Sequence, residues 1–226
     1  MEDMIDQKKD KFISACRILV NEGLTEGAYS ISCRVDQNRI MINANVSPCL
    51  ITRENILINS LDKQPVEGKA HPAIYRARKD VGAIVHAHPP YAIALGTVED
   101  ALVPIHHYGV IFHGRIKVYK SQGQVKTVDR AQEIAGLLEN GIAILQRGHG
   151  TIVVGKDLEE AVLGTLFLEE AAKMHFLAKL MGSPEYIPGE LSAKITTQIF
   201  NQGSKKRMWD HYVAKLKLKR WDMLDA

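Results

Sequence analysis

Two histidines, His86 and His88, stand either side of one small residue at the end of the β-branched run Val81, Ile84 and Val85. In a strand, residues i and i+2 project from the same face, so the two imidazoles would stand side by side. Pro89 and Pro90 then stop the strand and leave the pair at its end, beside a loop. Imidazoles paired in this way can form two corners of a divalent-metal site. The stretch also reads as two polar histidines at a strand end, and taken alone it does not choose between the two.

Its surroundings add more reactive groups. Upstream lies Glu67-Gly68-Lys69-Ala70-His71-Pro72-Ala73-Ile74-Tyr75-Arg76-Ala77-Arg78, and downstream Arg147-Gly148-His149-Gly150. A glutamate, a histidine four residues on, a helix with Ile-Tyr and arginines, a His-x-His and a distant His-Gly follow in this order. That order resembles the class II aldolase and adducin-head family, and the resemblance runs from about residue 12 to residue 182. It implies that His86, His88 and His149 bind a divalent metal, usually zinc, with manganese, iron or cobalt as alternatives. Glu67 would complete the site and move a proton. Three imidazoles with an open position describe a catalytic rather than a structural zinc site. Such a Lewis acid stabilises the enolate left when a carbon–carbon bond breaks.

Each residue also has a plainer reading. Glu67 suits proton transfer if burial raises its pKa, or it is a carboxylate at a helix start. His71, at i+4 from Glu67, either orients that carboxylate or packs under the helix. The glycines around His149 let backbone and metal approach closely, or the histidine simply occupies a turn. On the stretch Val103-Pro104-Ile105-His106-His107-Tyr108, Tyr108 matches a tyrosine that, in related aldolases, reaches the neighbouring subunit's site as a proton donor; otherwise it is an exposed loop residue. Lys69 and Arg147 flank the expected site, to hold a substrate carboxylate or to sit in solvent. Tyr29 adds a ring to the site or alternates away from it. The family further implies cyclic homotetramers with sites at subunit interfaces.

The departures bear on the substrate. Sugar-phosphate aldolases of the family hold phosphate with a Gly-Asn-x-Ser stretch, a Thr-Gly loop and a Ser-Ser pair before the glutamate. Here those places read Gly27-Ala28-Tyr29-Ser30, Asn45-Val46 and Pro65-Val66. Such a cradle offers backbone N–H groups and hydroxyls; Pro65 removes an N–H and Val66 a hydroxyl. The expectation is a metal-dependent lyase acting on a small, non-phosphorylated substrate by aldol cleavage or by decarboxylation of a hydroxyaryl or hydroxy acid. A sugar-phosphate aldolase or epimerase is the alternative. Adducin-like heads, which keep the fold as interaction modules, are expected to lose the metal ligands that this chain keeps.

The elements that must position these groups are legible from periodicity. Apolar residues recur at helical spacing over 4–22, and Gly23 ends that helix. Residues 29–35 and 39–42 make a hairpin about Asp36-Gln37-Asn38. Thr52 caps one helical turn before a short strand at 56–58. A helix at 71–78, the central strand at 81–88, a helix starting at Tyr91, and a strand at 115–119 follow. Next come a helix at 129–138, strands at 141–145 and 151–154 around Gly148-His149-Gly150, and a long helix at 158–181 ended by Gly182-Ser183-Pro184. Intermixed strands and helices with two hairpins argue for an α/β protein with a largely antiparallel sheet, and the family fold is a three-layer α/β/α sandwich of that sort. The expectation is one domain over 1–226, with a helical extension from about 190.

Composition limits the alternatives. With 226 residues, 46% hydrophobic and 24% charged, the chain suits one globular core. Its three cysteines, without a CxxC, suggest neither a disulfide framework nor a cysteine zinc knuckle. A net charge of +3 does not argue for nucleic acid. No apolar run approaches the ~20 residues that span a membrane, and the start of the chain is acidic without an apolar signal core, so a cytoplasmic protein is expected. The last helix carries basic residues around Trp209, Tyr212, Val213 and Leu216, and reads as a packing helix with a solvated basic face rather than as a membrane or nucleic-acid surface.

Overall fold

The structure, a computed structural model, describes residues 2–62, 70–98 and 102–219, with side chains from Ile5 onward. Glu67, Lys69, Pro65 and Val66 lie outside the described residues, as does the end of the last helix expected from the sequence.

Seven strands form one sheet: β1 (Ser30–Arg34), β2 (Arg39–Asn43), β3 (Ile56–Ser60), β4 (Ala83–Ala87), β5 (Ile116–Tyr119), β6 (Ala143–Gln146) and β7 (Gly150–Gly155). Their order is β3-β2-β1-β4-β7-β6-β5. Every neighbouring pair is antiparallel except β5 and β6. The helices are α1 (Glu2–Asn21), α2 (Ala70–Ala77), α3 (Pro90–Val98), α4 (Val128–Leu138), α5 (Leu158–Met181), α6 (Gly189–Ile199) and α7 (Gln202–Leu218).

Strand alternation sends side chains into two separate cores. Ala83, Val85 and Ala87 of β4 pack with Phe12 of α1, Leu95 of α3, Phe167 of α5 and Trp209 of α7. Ile84 points the other way, into a smaller core with Ile74 and Tyr75 of α2 and Ile134 and Leu138 of α4. The result is a three-layer α/β/α sandwich, and the layer of α2 and α4 covers the face on which His86 continues the line of Ile84.

The helical stretches after Pro188 are α6 and α7. Trp209 and Leu216 of α7 are buried in the larger core. Lys205, also buried, pairs with Glu160, and Lys215 Nζ lies 2.6 Å from Glu22. These two lysines of the basic helix are therefore tied to the body rather than left in solvent. None of the described helices is long and apolar enough to cross a membrane.

Candidate metal centre

The two histidines of the central stretch occupy different local structure. Strand β4 ends at Ala87, so His86 is its last core-directed polar side chain, and His88 lies one residue beyond the strand. The sequence places the strand end at His88; the prolines stop the ladder one residue sooner. His88 is nevertheless fixed. Its N–H donates to the Leu24 carbonyl at 2.8 Å, and its ring meets the Ala28 carbonyl. The following helix α3 is capped from α5, because the Glu169 carboxylate accepts from the Tyr91 N–H (3.0 Å) and the Ala92 N–H (2.9 Å). A carboxylate at a helix N-terminus satisfies donors that the helix cannot.

His149 reaches the pair through β7. Antiparallel pairing sets His86 opposite Ile152 and Ala87 opposite Thr151. The tight turn from β6 to β7 closes with the His149 N–H donating to the Gln146 carbonyl at 3.0 Å. Gly148 adopts φ +66°, a left-handed conformation suited to glycine. Gly150 serves a different end: a Cβ there would stand 2.7 Å from the Ala87 carbonyl oxygen and 2.7 Å from His88 Cδ2. Only a bare backbone lets the rings converge.

Ring centroids of His86 and His88 are 4.9 Å apart, of His86 and His149 5.0 Å, and of His88 and His149 5.3 Å. One nitrogen from each ring lies within 4.8 Å of the others. The Thr151 carbonyl accepts from His86 Nδ1 at 2.9 Å, which fixes the tautomer and turns the Nε2 lone pair outward. His149 Nδ1 is buried with no hydrogen-bond partner among the described residues. Burial pushes the pKa of His86 down to about 3, and the two neighbouring imidazoles press the same way; burial also lowers His88 and His149. Neutral, convergent imidazoles with an unpartnered nitrogen are the donor set that a divalent ion such as zinc takes.

The triad opens into a cavity of about 650 Å³. Among its walls are Ala28, Asn45, His71, Val125, Lys126 and Gln146. A larger hollow of about 870 Å³ lies at the opposite sheet end, around Arg34, Asp80 and Lys156, away from the histidines.

The structure distributes the remaining sequence candidates unevenly. His71 is brought to the triad's cavity, 1% exposed. Its Nε2 meets Ser30 Oγ at 3.1 Å and its Nδ1 meets Ser32 Oγ at 2.7 Å, so it ties α2 to β1. Tyr29 borders the cavity, but its ring packs in the larger core and its hydroxyl faces Cys16. Arg147 is not brought to the cavity; its Nε donates to the Gly96 carbonyl of α3 at 3.1 Å. Tyr108 lies outside the cavity of its own chain, 39% exposed and stacked on Phe167 with centroids 4.1 Å apart. Sequence reasoning missed Asn45 as a lining residue, Lys126 and Gln146. Gln146 did leave a signal: it is a polar residue on the same strand face as core Ile144.

One consequence is a pH dependence. Burial also lowers the pKa of His71 to about 3. In metal-free protein, His71 and His86 stay neutral between about 3 and 6.5, whereas the unfolded chain takes up protons there. The unfolded state binds more protons, so stability is full above pH 6.5 and falls with acidification towards pH 3, with a limiting slope of about 1.4 kcal/mol per pH unit for each histidine. Urea midpoints for chelator-treated protein should fall between pH 7 and pH 5; midpoints that do not move would contradict neutral buried imidazoles.

The profile described as the Class II Aldolase and Adducin N-terminal domain matches residues 10–176. The chain is 30% identical over 186 residues to a 3-oxo-tetronate 4-phosphate decarboxylase of Haemophilus influenzae, covering 75% of this chain and 87% of that protein. It is 32% identical over 143 residues to a 4-hydroxy-3-prenylphenylpyruvate oxygenase/4-hydroxy-3-prenylbenzoate synthase of Streptomyces roseochromogenus subsp. oscitans. That match covers 63% of this chain and 50% of that protein, so the chain spans about half of that relative. Among solved structures, an aldolase II superfamily protein from Pseudomonas syringae superposes with a TM-score of 0.82 at 24% identity, covering 96% of this chain and 95% of the other.

Proposed function

Because the chain belongs to the class II aldolase and adducin N-terminal domain family, we propose that it is a divalent-metal-dependent carbon–carbon lyase whose substrate carries no phosphate. The observation that carries this reading is the convergence of His86, His88 and His149 at the wall of an open cavity. A divalent ion held there, most simply zinc, would supply Lewis-acid stabilisation of enolate charge. Either aldol cleavage or decarboxylation fits that chemistry. The presence of all three histidines disfavours a non-catalytic adducin-like module.

The chain's own groups take the remaining roles. Glu67 is the proton-transferring carboxylate and a candidate fourth ligand. His71, held by two serine hydroxyls, keeps α2 seated on β1 at the wall of the cavity. Lys69 is a candidate for holding the substrate carboxylate. Lys126 stands on the cavity wall, whereas Arg147 lies outside it with its Nε on the Gly96 carbonyl. Tyr29 contributes wall rather than a polar contact.

The absence of phosphate rests on Ala28, Val46, Pro65 and Val66 standing where the related aldolases have phosphate donors. An apolar wall with a few placed polar groups suits a hydroxyaryl or hydroxy acid. The relative whose name carries a prenylbenzoate supports this, whereas the relative named for a 4-phosphate supports a sugar-phosphate lyase as the second reading. An unpaired phosphate there would lose several kcal/mol. We expect kcat/KM for hydroxyaryl carboxylates to exceed that for fuculose or ribulose phosphate by about 100-fold or more. Efficient turnover of a sugar phosphate that disappears when the phosphate is removed would overturn the reading.

The enzyme is further proposed to act as a cyclic homotetramer, with Tyr108 donating a proton at the site of the adjacent chain. The exposure of Tyr108 outside its own cavity supports this, as do the exposed apolar residues Phe176, Leu180 and Met181 further along α5. Light scattering should give a four-chain mass, and Tyr108→Phe should cut kcat by about 10²-fold or more with metal content unchanged. A fully active monomer would exclude it.

A further inference from the structure

Gln146 is the last residue of β6, only 2% exposed, and it lines the cavity of the histidine triad. Neither its amide nitrogen nor its carbonyl oxygen has a hydrogen-bond partner among the described residues. A buried carboxamide without partners costs free energy in the fold. Its neighbours Ile144 and Ile152 on the same face are ordinary core residues, so an apolar side chain would pack there at no such cost.

The sheet register shows what the carboxamide faces. Gln146 pairs with Gly150 across β6 and β7. On the other side of Gly150 stands His88, one step beyond the Ala87–Thr151 pair. The rung therefore reads His88, Gly150, Gln146, and its middle position has no side chain. Two strand spacings put the backbones of the outer residues roughly 10 Å apart. The His88 ring leans over this bare position, where a Cβ would stand 2.7 Å from its Cδ2, and the imidazole and the carboxamide border the same cavity. A molecule anchored at the histidine side would present its next functional group to Gln146.

The chemistry of that group follows from the carboxamide. It offers two N–H donors and a carbonyl acceptor, and no charge. A carboxylate or phosphate would satisfy the donors but set an anion against the carbonyl oxygen. A hydroxyl both accepts and donates. We propose that Gln146 reads a hydroxyl of the substrate, placed a few bonds from its metal-chelating oxygens, and so selects hydroxylated over deoxy substrates. The proposal rests on the metal-dependent reading of the triad.

The test uses two pairs of hydroxamates that chelate a divalent ion alike and differ by one hydroxyl: glycolohydroxamate against acetohydroxamate, and 3-hydroxybenzohydroxamate against benzohydroxamate. Each is titrated calorimetrically into zinc-loaded wild type, Gln146→Leu and Gln146→Met. Wild type should bind the hydroxylated member of at least one pair about tenfold or more tightly. In both variants that ratio should fall to near one, with zinc stoichiometry and affinity for the plain member unchanged. Both variants should melt at or above the wild-type temperature, which a residue with a structural role would not do. A hydroxyl preference that survives in the variants, its absence from both wild-type pairs, or a clear loss of thermal stability in both variants would overturn the assignment. Wild type that takes up no zinc would overturn the metal reading beneath it, a distinct result from zinc-loaded protein that ignores the hydroxyl.

Discussion

His86→Ala and His88→Ala will each yield a folded protein that no longer retains a stoichiometric divalent ion and no longer turns over substrate. Wild type should carry about one ion per chain by elemental analysis, as three protein ligands with one open position imply. Losing one of three imidazoles leaves two donors on a half-buried wall. The affinity loss should exceed the roughly 10–100-fold typical of removing only an outer-shell partner. The fold should tolerate it, because His86 contributes a single bond to Thr151 and its neighbours Val85 and Ala87 hold β4 in the larger core. Far-ultraviolet circular dichroism separates the two effects: an unchanged spectrum with metal below a tenth of wild type is the expected pair. A His86→Ala/His88→Ala double variant that purifies fully loaded would end the assignment of this triad as the metal site.

The second large effect concerns glycines that a sequence reader would treat as equivalent. Gly150→Ala should damage the site far more than Gly148→Ala. The added methyl at 150 would lie 2.7 Å from a backbone oxygen of β4 and 2.7 Å from His88, so β7 and the end of β4 must part. Overpacking of this kind costs about 1–3 kcal/mol. The methyl would also stand 3.2 Å from His86 Cε1, so it presses on two of the three ligand rings, and metal affinity should fall by about 10–100-fold as well. At Gly148 nothing lies within 4 Å of the added methyl. The cost there is only the left-handed backbone of a non-glycine residue, about 1 kcal/mol, and the added methyl presses on none of the three rings. Metal titrations of the two variants should therefore differ by an order of magnitude or more although their melting temperatures are similar. Equal metal affinities would show that the triad does not depend on the close approach at Gly150.

Most of the fold was legible from the chain. Among the described residues, helical spacing, turn chemistry and β-branched runs located the seven strands and the seven α-helices, often to within a residue or two. The pairing of β5 with β6 in parallel, at the edge of an otherwise antiparallel sheet, was not legible, because parallel pairing is set by how α4 crosses between the two strands. The hairpin of β1 and β2 was legible because its turn residues are local.

For the site, the sequence by itself determined that His86 and His88 share one side of a strand end, since period-two alternation and the stop at Pro89 are local properties. Its family resemblance added His149, 61 positions further on by the numbering. Only the tertiary structure decided that the three rings meet, through the β4–β7 register and the bare backbone at Gly150. It also decided which polar residues face the cavity. Gln146 and Lys126 border it, Arg147 turns to the carbonyl of Gly96, and Tyr29 sends its ring to the opposite core. His71 satisfies both ring nitrogens on Ser30 and Ser32, some forty positions earlier, a pairing that no spacing in the sequence announces. The physical reason is common to all of these. Alternation and propensity act over a few residues along one chain segment, whereas the direction of a side chain at a strand end and the partners it finds depend on which segments the sheet brings alongside it.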